Sequence, residues 1–288
     1  MSRNVARTFA IDRPCVCYPK VFYVPARVSE AFVLRTFPLK EADLVVSFLS
    51  RDQGKLRGVA RRARKPKSAF GSGLERLSHV RMSYFQTESR ELVSLDSCEL
   101  IHSQFRLASD YAASVALDFI AEVTDQLLPS NEPSDRYFRL MAAVLEHLRA
   151  DPANVWRVVA YFSLWAARLS GFLPELNVCL GCGAWLHDVA NDPTNAPDAA
   201  GMDRAWYSRS RAGLVCGECR QAQGLRDGGE LTGFSRLLAE YMLRNPITDV
   251  LPEGWPARTA IDLRRFLVQQ IETHLERKLA TAPLLEAC

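Results

Sequence analysis

The sequence predicts an α+β protein, with a small closed β-barrel followed by a helical domain that is interrupted by a metal-binding module. Three observations carry this reading. Short runs rich in Val, Leu and Phe, separated by turn residues, fill residues 29–103. After Ser103 the apolar residues recur at three- and four-residue spacing. Two Cys-x-x-Cys elements, Cys179–Cys182 and Cys216–Cys219, lie inside that helical part.

A chain of 288 residues, 48% hydrophobic and 24% charged, has room for two globular domains. No apolar stretch approaches the roughly 20 residues that cross a bilayer, and the N-terminus lacks the apolar centre of a signal peptide. A soluble, cytoplasmic protein without a membrane partner is expected. Residues 1–27 carry Arg3, Arg7, Arg13, Lys20 and Arg27 with little periodicity, and read as an extension that need not be ordered. A transit peptide is the alternative, disfavoured by Asp12 and by the absence of a basic amphipathic helix.

A first domain is expected over 28–103. Ala31–Phe37, Ala42–Arg51, Gly54–Arg62, His79–Phe85 and Glu91–Ile101 read as strands, with Arg51-Asp52-Gln53-Gly54 as a turn. In the second strand Leu44, Val46 and Phe48 alternate with Val45, Ser47 and Leu49, so both faces are partly apolar. A curled barrel sheet fits that pattern. Cys98 falls in a strand pattern and reads as a small core residue.

A second domain is expected over 104–288. Its first helix carries Tyr111, Val115, Phe119, Ile120, Val123 and Leu127 and is stopped by Pro129 and Pro133. The next begins near Ser134 with a stripe of Tyr137, Met141, Val144, Leu145 and Leu148. A third, with Val155, Val159, Phe162 and Leu169, meets the stop signals Gly171 and Pro174. Helices return at Phe234–Leu243 and Arg258–Lys278. Between them the metal module occupies about 176–229, with a polar, Pro- and Ala-rich exposed loop at 186–205.

Cys179, Cys182, Cys216 and Cys219 form two Cys-x-x-Cys turns with 33 residues between them. Such a turn lets two thiolates meet one ion, and Gly181 and Gly183 permit its backbone. Two turns complete a tetrahedral sulfur shell, which favours one zinc ion. A redox dithiol would need a single such pair at a helix start after a strand. His187 could replace one cysteine, but an exposed histidine on the polar loop is the simpler reading. With four protein ligands the ion has no vacancy for water, so a structural role is expected. The remaining cysteines, Cys15, Cys17, Cys98 and Cys288, show no disulfide framework, in keeping with a reducing compartment.

Net charge is only +3, but it is unevenly spread. Residues 1–103 hold 18 Lys+Arg against 10 Asp+Glu, whereas residues 104–288 hold 18 against 23. Seven basic residues and no acidic ones fall between Gly54 and Lys67: Lys55, Arg57, Arg61, Arg62, Arg64, Lys65 and Lys67. Presented by a rigid sheet, they read as a polyanion site, with nucleic-acid phosphate as the leading ligand. A solvated hairpin that keeps an edge strand soluble is the other reading. Seven mutually repelling charges without a counter-anion favour the first. Phe70 and Phe37 could stack on bases, and each reads equally well as packing.

The chain resembles the RecO family of bacterial recombination and repair proteins. The resemblance rests on Glu30-Ala31-Phe32-Val33-Leu34-Arg35-Thr36, Glu41-Ala42-Asp43, Gly54 through Arg64, and Leu74-Glu75. It continues in Tyr161-Phe162 and in Leu169-Ser170-Gly171-Phe172-Leu173-Pro174 leading to Cys179-x-x-Cys182-Gly183. It covers about residues 29–280; the N-terminal extension and the loop 186–205 depart from it. It implies an oligonucleotide-binding (OB) barrel before a helical domain with an embedded zinc module, in a bacterial, nucleoid-associated protein. It also implies binding of single- and double-stranded DNA, annealing of complementary strands, and loading of RecA recombinase. The implied partners are RecR, RecF and single-strand-binding protein, whose acidic tail would meet an apolar, cation-flanked groove on the helical domain. Some members of the family lack the cysteines, which makes the metal a stabiliser.

Catalysis has little support. The histidines at 79, 102, 147, 187 and 274 are scattered, no Gly-x-Ser-x-Gly, phosphate loop or His-Glu-x-x-His occurs, and Glu41 and Asp43 read as turn and surface residues. A non-enzymatic DNA mediator is therefore expected. The alternative is a zinc-stabilised scaffold or regulator whose basic loop docks on RNA or an acidic protein.

Overall fold

A computed structural model describes residues 26–86, 91–186, 204–209, 211–250 and 257–286. The N-terminal extension up to residue 25, His187 with most of the loop 186–205, and Cys15, Cys17 and Cys288 lie outside the described residues. Of that loop, Leu186, Arg204 and Ala205 are described; Arg204 is exposed, whereas Leu186 and Ala205 at its two ends are buried.

The barrel is built from β1 (Arg27–Pro38), β2 (Leu44–Ser50), β3 (Gly54–Ala60), β4 (His79–Phe85) and β5 (Val93–His102). They close in the order β1-β2-β3-β5-β4, antiparallel except for β3 against β5. Closure depends on the long first strand. Arg27–Phe32 pairs with β4, Ala31–Pro38 pairs with β2, and a bulge between Val33 and Arg35 bends the strand from one partner toward the other.

Inside the barrel Ala31, Val33, Val46, Phe48, Leu56, Val80, Met82 and Tyr84 form one core. Burying a side chain the size of Phe48 contributes about 1.5–3 kcal/mol. The outward residues Phe32, Leu34, Leu49 and Leu77 belong instead to the core of the helical domain. Both faces of β2 are partly apolar because one lines the barrel and the other joins the helical core at Leu49, a reason different from sheet curling.

Helices α1 (Tyr111–Leu127), α2 (Asp135–Ala150) and α3 (Val155–Leu169) follow. Asp110 caps α1 by accepting the N–H of Ala113 at 2.8 Å, and Ser134 caps α2 through the N–H of Tyr137. Phe119 and Tyr137 meet Phe162 edge-on, each with ring centroids 6.2 Å apart, which joins the three helices. The metal module adds β6 (Ala205–Ser208), β7 (Arg211–Val215), α4 (Gly217–Ala222) and β8 (Gly229–Leu231), with the strands in a sheet of order β7-β6-β8. Helices α5 (Gly233–Arg244), α6 (Ala257–Leu275) and α7 (Ala282–Glu286) complete the domain. Helix α6 stops at Leu275 because Glu276 takes a left-handed conformation, φ 53°.

The carboxylate of Glu122 on α1 is buried and accepts the N–H groups of Ala280 and Thr281 at 2.9 Å and the Thr281 hydroxyl at 2.6 Å. Burial pushes this carboxyl up, but the Thr281 hydroxyl and the two amides outweigh it and leave it below the usual range. That contact fastens the start of α7 to the bundle.

Barrel and helices meet along a polar seam as well. The ammonium of Lys55 donates to the carbonyl of Asp125 at 2.5 Å, and Ser47 Oγ donates to Asp125 Oδ1 at 2.6 Å. A Cβ on Gly54, whose φ is +71°, would lie 1.9 Å from the carbonyl oxygen of Glu132, so only glycine lets β3 approach this closely. Among the described residues no helix is long and apolar enough to cross a membrane.

Candidate nucleic-acid interface and metal centre

The loop from Arg61 to Ser78 carries most of the basic residues, and it is held in place rather than left as an open hairpin. Its first turn is bonded to the β1–β2 connection: the N–H of Arg62 donates to Asp43 Oδ1 at 2.8 Å and that of Arg64 to the carbonyl of Ala42 at 3.0 Å. Its middle is pinned by Phe70, buried in the barrel core, whose carbonyl faces Cys98 Sγ at 3.2 Å. Its end is stitched to β1, with Leu77 N–H on the Val33 carbonyl at 2.7 Å and Val33 N–H on the Ser78 carbonyl at 3.1 Å. Phe70 is therefore packing. Cys98 is half-buried, and burial pushes its thiol up to about 11, so it is unreactive at neutral pH.

Arg57, Arg61, Arg62, Arg64, Lys65 and Lys67 are all exposed, and among the described residues none of them forms an ion pair. Arg62 and Lys67 hold left-handed backbone, φ 57° and 61°, which costs a side-chain-bearing residue about 1–2 kcal/mol each. The anchors on either side stabilise that conformation. Lys55 stands apart from the six: it is half-buried against α1, and burial lowers its pKa, with Asp125 opposing and Arg57 adding to the shift. Arg57 rests its guanidinium 5.8 Å from the ring centroid of Phe37.

Asp43, which the sequence marks only as a turn residue, is a structural anchor of the basic loop. A bond from a side chain to a backbone amide nineteen positions away leaves no periodic trace, so composition and periodicity do not expose its role.

The cysteines assemble from two knuckles. Cys179 lies at a bridge to Leu214 beside β7; its N–H donates to the Ala184 carbonyl at 2.8 Å, and the turn closes as Gly183 N–H donates back to the Cys179 carbonyl at 2.9 Å. Gly183 has φ +73°, the left-handed conformation that such a turn requires. The second pair sits where β7 ends and α4 begins, Cys216 Sγ accepting the N–H of Cys219 at 3.4 Å.

All four sulfurs lie within 4.8 Å of one another. Cys182 and Cys216 are 3.9 Å apart, far too long for a disulfide and close to the roughly 3.8 Å between sulfurs around a tetrahedral ion with 2.3 Å bonds. Burial pushes the Cys179 thiol up, but the N–H groups of Cys216, Cys182 and Gly181 outweigh it and bring it down to about 6. Cys219, facing the thiols of Cys182 and Cys216, is pushed up to about 12. Four sulfurs this close cannot all be thiolates unless a cation joins them, so the cluster fits a metal ion. The knuckle is tied to α5 by Arg236 donating to the Leu186 carbonyl and by Asn177 donating to Glu240.

Comparison with known proteins agrees with this architecture. The family description "Recombination protein O N terminal" matches residues 27–104, and "Recombination protein O C terminal" matches residues 108–283. A DNA repair protein RecO of Koribacter versatilis (strain Ellin345) is 43% identical over 258 residues, covering 90% of this chain and 97% of that one. DNA repair protein RecO of Anaeromyxobacter sp. (strain K) is 30% identical over 260 residues, 88% of this chain and 93% of the relative. The protein of the same name from Cutibacterium acnes (strain DSM 16379 / KPA171202) is 28% identical over 274 residues, covering 91% of this chain and all of that one.

Proposed function

The chain belongs to the RecO family of DNA repair proteins, and on that footing we propose that it is a non-enzymatic recombination mediator that binds single- and double-stranded DNA through the loop after β3. The observation that carries this is a set of six exposed cations, Arg57 on β3 and five on the loop that follows, which have no carboxylate partner among the described residues and whose loop is anchored at both ends and in the middle. Arg57, Arg61, Arg62, Arg64, Lys65 and Lys67 neutralise phosphates, and the excess of arginine suits bidentate contacts. Lys55 has a positioning role, holding β3 against α1.

Annealing follows from charge neutralisation. Two complementary strands repel each other, and cations that displace their counterions lower that repulsion without any chemical step. Mixing the purified protein with complementary oligonucleotides, without ATP or magnesium, should accelerate duplex formation and lose the effect as monovalent salt rises. A basic loop that docks on RNA or an acidic protein instead would leave the annealing rate unchanged. A requirement for ATP hydrolysis, or strand cleavage, would reveal an active site.

The ion in the cysteine cluster is zinc, held by Cys179, Cys182, Cys216 and Cys219. When bound it supplies cross-linking rather than reactivity, since its four positions are filled by the protein. RecR, RecF and single-strand-binding protein are the partners in this reading. A cleft of about 510 Å³ between α6 and α7 offers Val268, Leu279 and Leu285 beside Arg264, Arg265 and Lys278, a fitting place for an acidic peptide. Glu286 already pairs with Arg264 and Arg265 there, so such a peptide would displace it. Absence of binding of an acidic tail peptide by calorimetry at low salt would remove this partner.

A further inference from the structure

We propose that Phe37 is the base-stacking residue of this interface and the one that lets the protein discriminate single strands from duplex. The proposal rests on the reading of the loop cations as phosphate contacts and adds to it a residue and a specificity.

Ala31 and Val33 point into the barrel, so an uninterrupted β1 would also turn residues 35 and 37 inward. The bulge between Val33 and Arg35 inserts one residue and reverses this: Arg35 pairs with Ser47 and Phe37 with Val45, both on the outer face of β2. A phenylalanine that would otherwise join the barrel core is thereby turned out to solvent.

The helices do not cover it. Domain contact on the outer face reaches as far as Ser47 and Lys55, both bonded to Asp125. Beyond them Val45 and Val59 lie in register with Phe37 and are only half-buried. Phe37 itself is 37% exposed and Leu39 46%. The result is a small apolar platform with one aromatic face.

Its surroundings select the ligand. Arg57 sits over the Phe37 ring, and the connection that follows Phe37 is bonded directly to Arg62 and Arg64. An aromatic platform flanked by exposed cations is the composition of a single-strand surface, where phosphates follow the charge and bases stack on the ring. Arg57 rests on the ring by a cation–π contact and moves to phosphate when a base takes its place. A duplex offers the same phosphates but keeps its base faces stacked inside, so it gains nothing from Phe37.

The test uses the full chain with Phe37→Ala, Phe37→Leu and Phe37→Trp, a thymidine oligonucleotide, and a blunt duplex of equal length. Phe37→Ala and Phe37→Leu should weaken single-strand binding about 5- to 100-fold while changing duplex binding less than about twofold. The salt slope should not move, because no charge is removed. Phe37→Trp should keep the single-strand affinity, and its added emission should be quenched by the oligonucleotide and not by the duplex. Full affinity in Phe37→Leu, equal losses on both DNAs, or an unquenched tryptophan would overturn the proposal. Arg61→Ala/Arg62→Ala/Arg64→Ala separates the two readings. If that variant loses DNA and Phe37→Ala does not, only the stacking role fails. If it binds normally, the loop reading itself fails.

Discussion

Asp43 accepts the backbone N–H of Arg62 at 2.8 Å, so an acidic residue beside the basic loop holds the loop in place instead of neutralising its side chains. Charge and geometry therefore make opposite forecasts for its removal. Asp43→Asn keeps an oxygen acceptor and removes a negative charge, and DNA affinity should stay level or rise slightly. Asp43→Ala also removes the charge, yet affinity should fall several-fold and hydrogen exchange should speed up over residues 61–68. A gain in affinity for the alanine variant would show that the loop needs no anchor.

Removing three cations from the loop should change the salt dependence as well as the affinity. If Arg61, Arg62 and Arg64 each meet one phosphate, the triple alanine variant should reduce the log–log salt slope on single strands by about two. Far-ultraviolet circular dichroism should be unchanged, because all three side chains are exposed. An unaltered slope would assign DNA binding elsewhere on the molecule.

The cysteine cluster should retain about one zinc ion per chain through purification without added metal. Cys179→Ser should lower the melting temperature more than Cys182→Ser, since Cys179 is buried and Cys182 exposed, although both should release the ion. A metal-free preparation with a normal melting profile would remove the stabilising role.

Stability should fall on the acid side through the seam between barrel and helices. His79 stacks on Phe32 with centroids 4.6 Å apart and lies near Phe138. Burial lowers its pKa, Glu30 opposes the shift, and His102 and Arg149 add to it. The unfolded chain then binds more protons than the folded one between the lowered value and the ordinary value of about 6.5, so stability is complete above that range and declines as pH falls through it. His79→Gln should flatten the decline in melting temperature below about pH 6.5. An identical pH profile in the variant would place the acid sensitivity elsewhere, for example at His147, which burial also lowers.

Much of the architecture was legible because it rests on periodicity. Stripes such as Tyr137, Met141, Val144, Leu145 and Leu148 predict their helix and its buried face, and that face is buried. Turn chemistry marks the strand ends, and the spacing of the paired cysteines predicts that four sulfurs meet. The short strands β6, β7 and β8 and the five-residue α7 were not legible, since segments of three to five residues have too few positions to show a period.

What the sequence by itself determined was the residue chemistry and the local elements: the concentration of cations after β3, the four thiols, and the two classes of periodicity. Only tertiary structure decided which of these residues share a surface. It turned Lys55 toward Asp125 while leaving six cations without an ion pair among the described residues, placed Phe70 inside the barrel, and used one bulge to put Phe37 outside. The physical reason is range. Periodicity and turn preference act within a few residues, whereas the facing of a side chain after a bulge, and the half of a barrel that a helix covers, depend on contacts between segments distant in the chain.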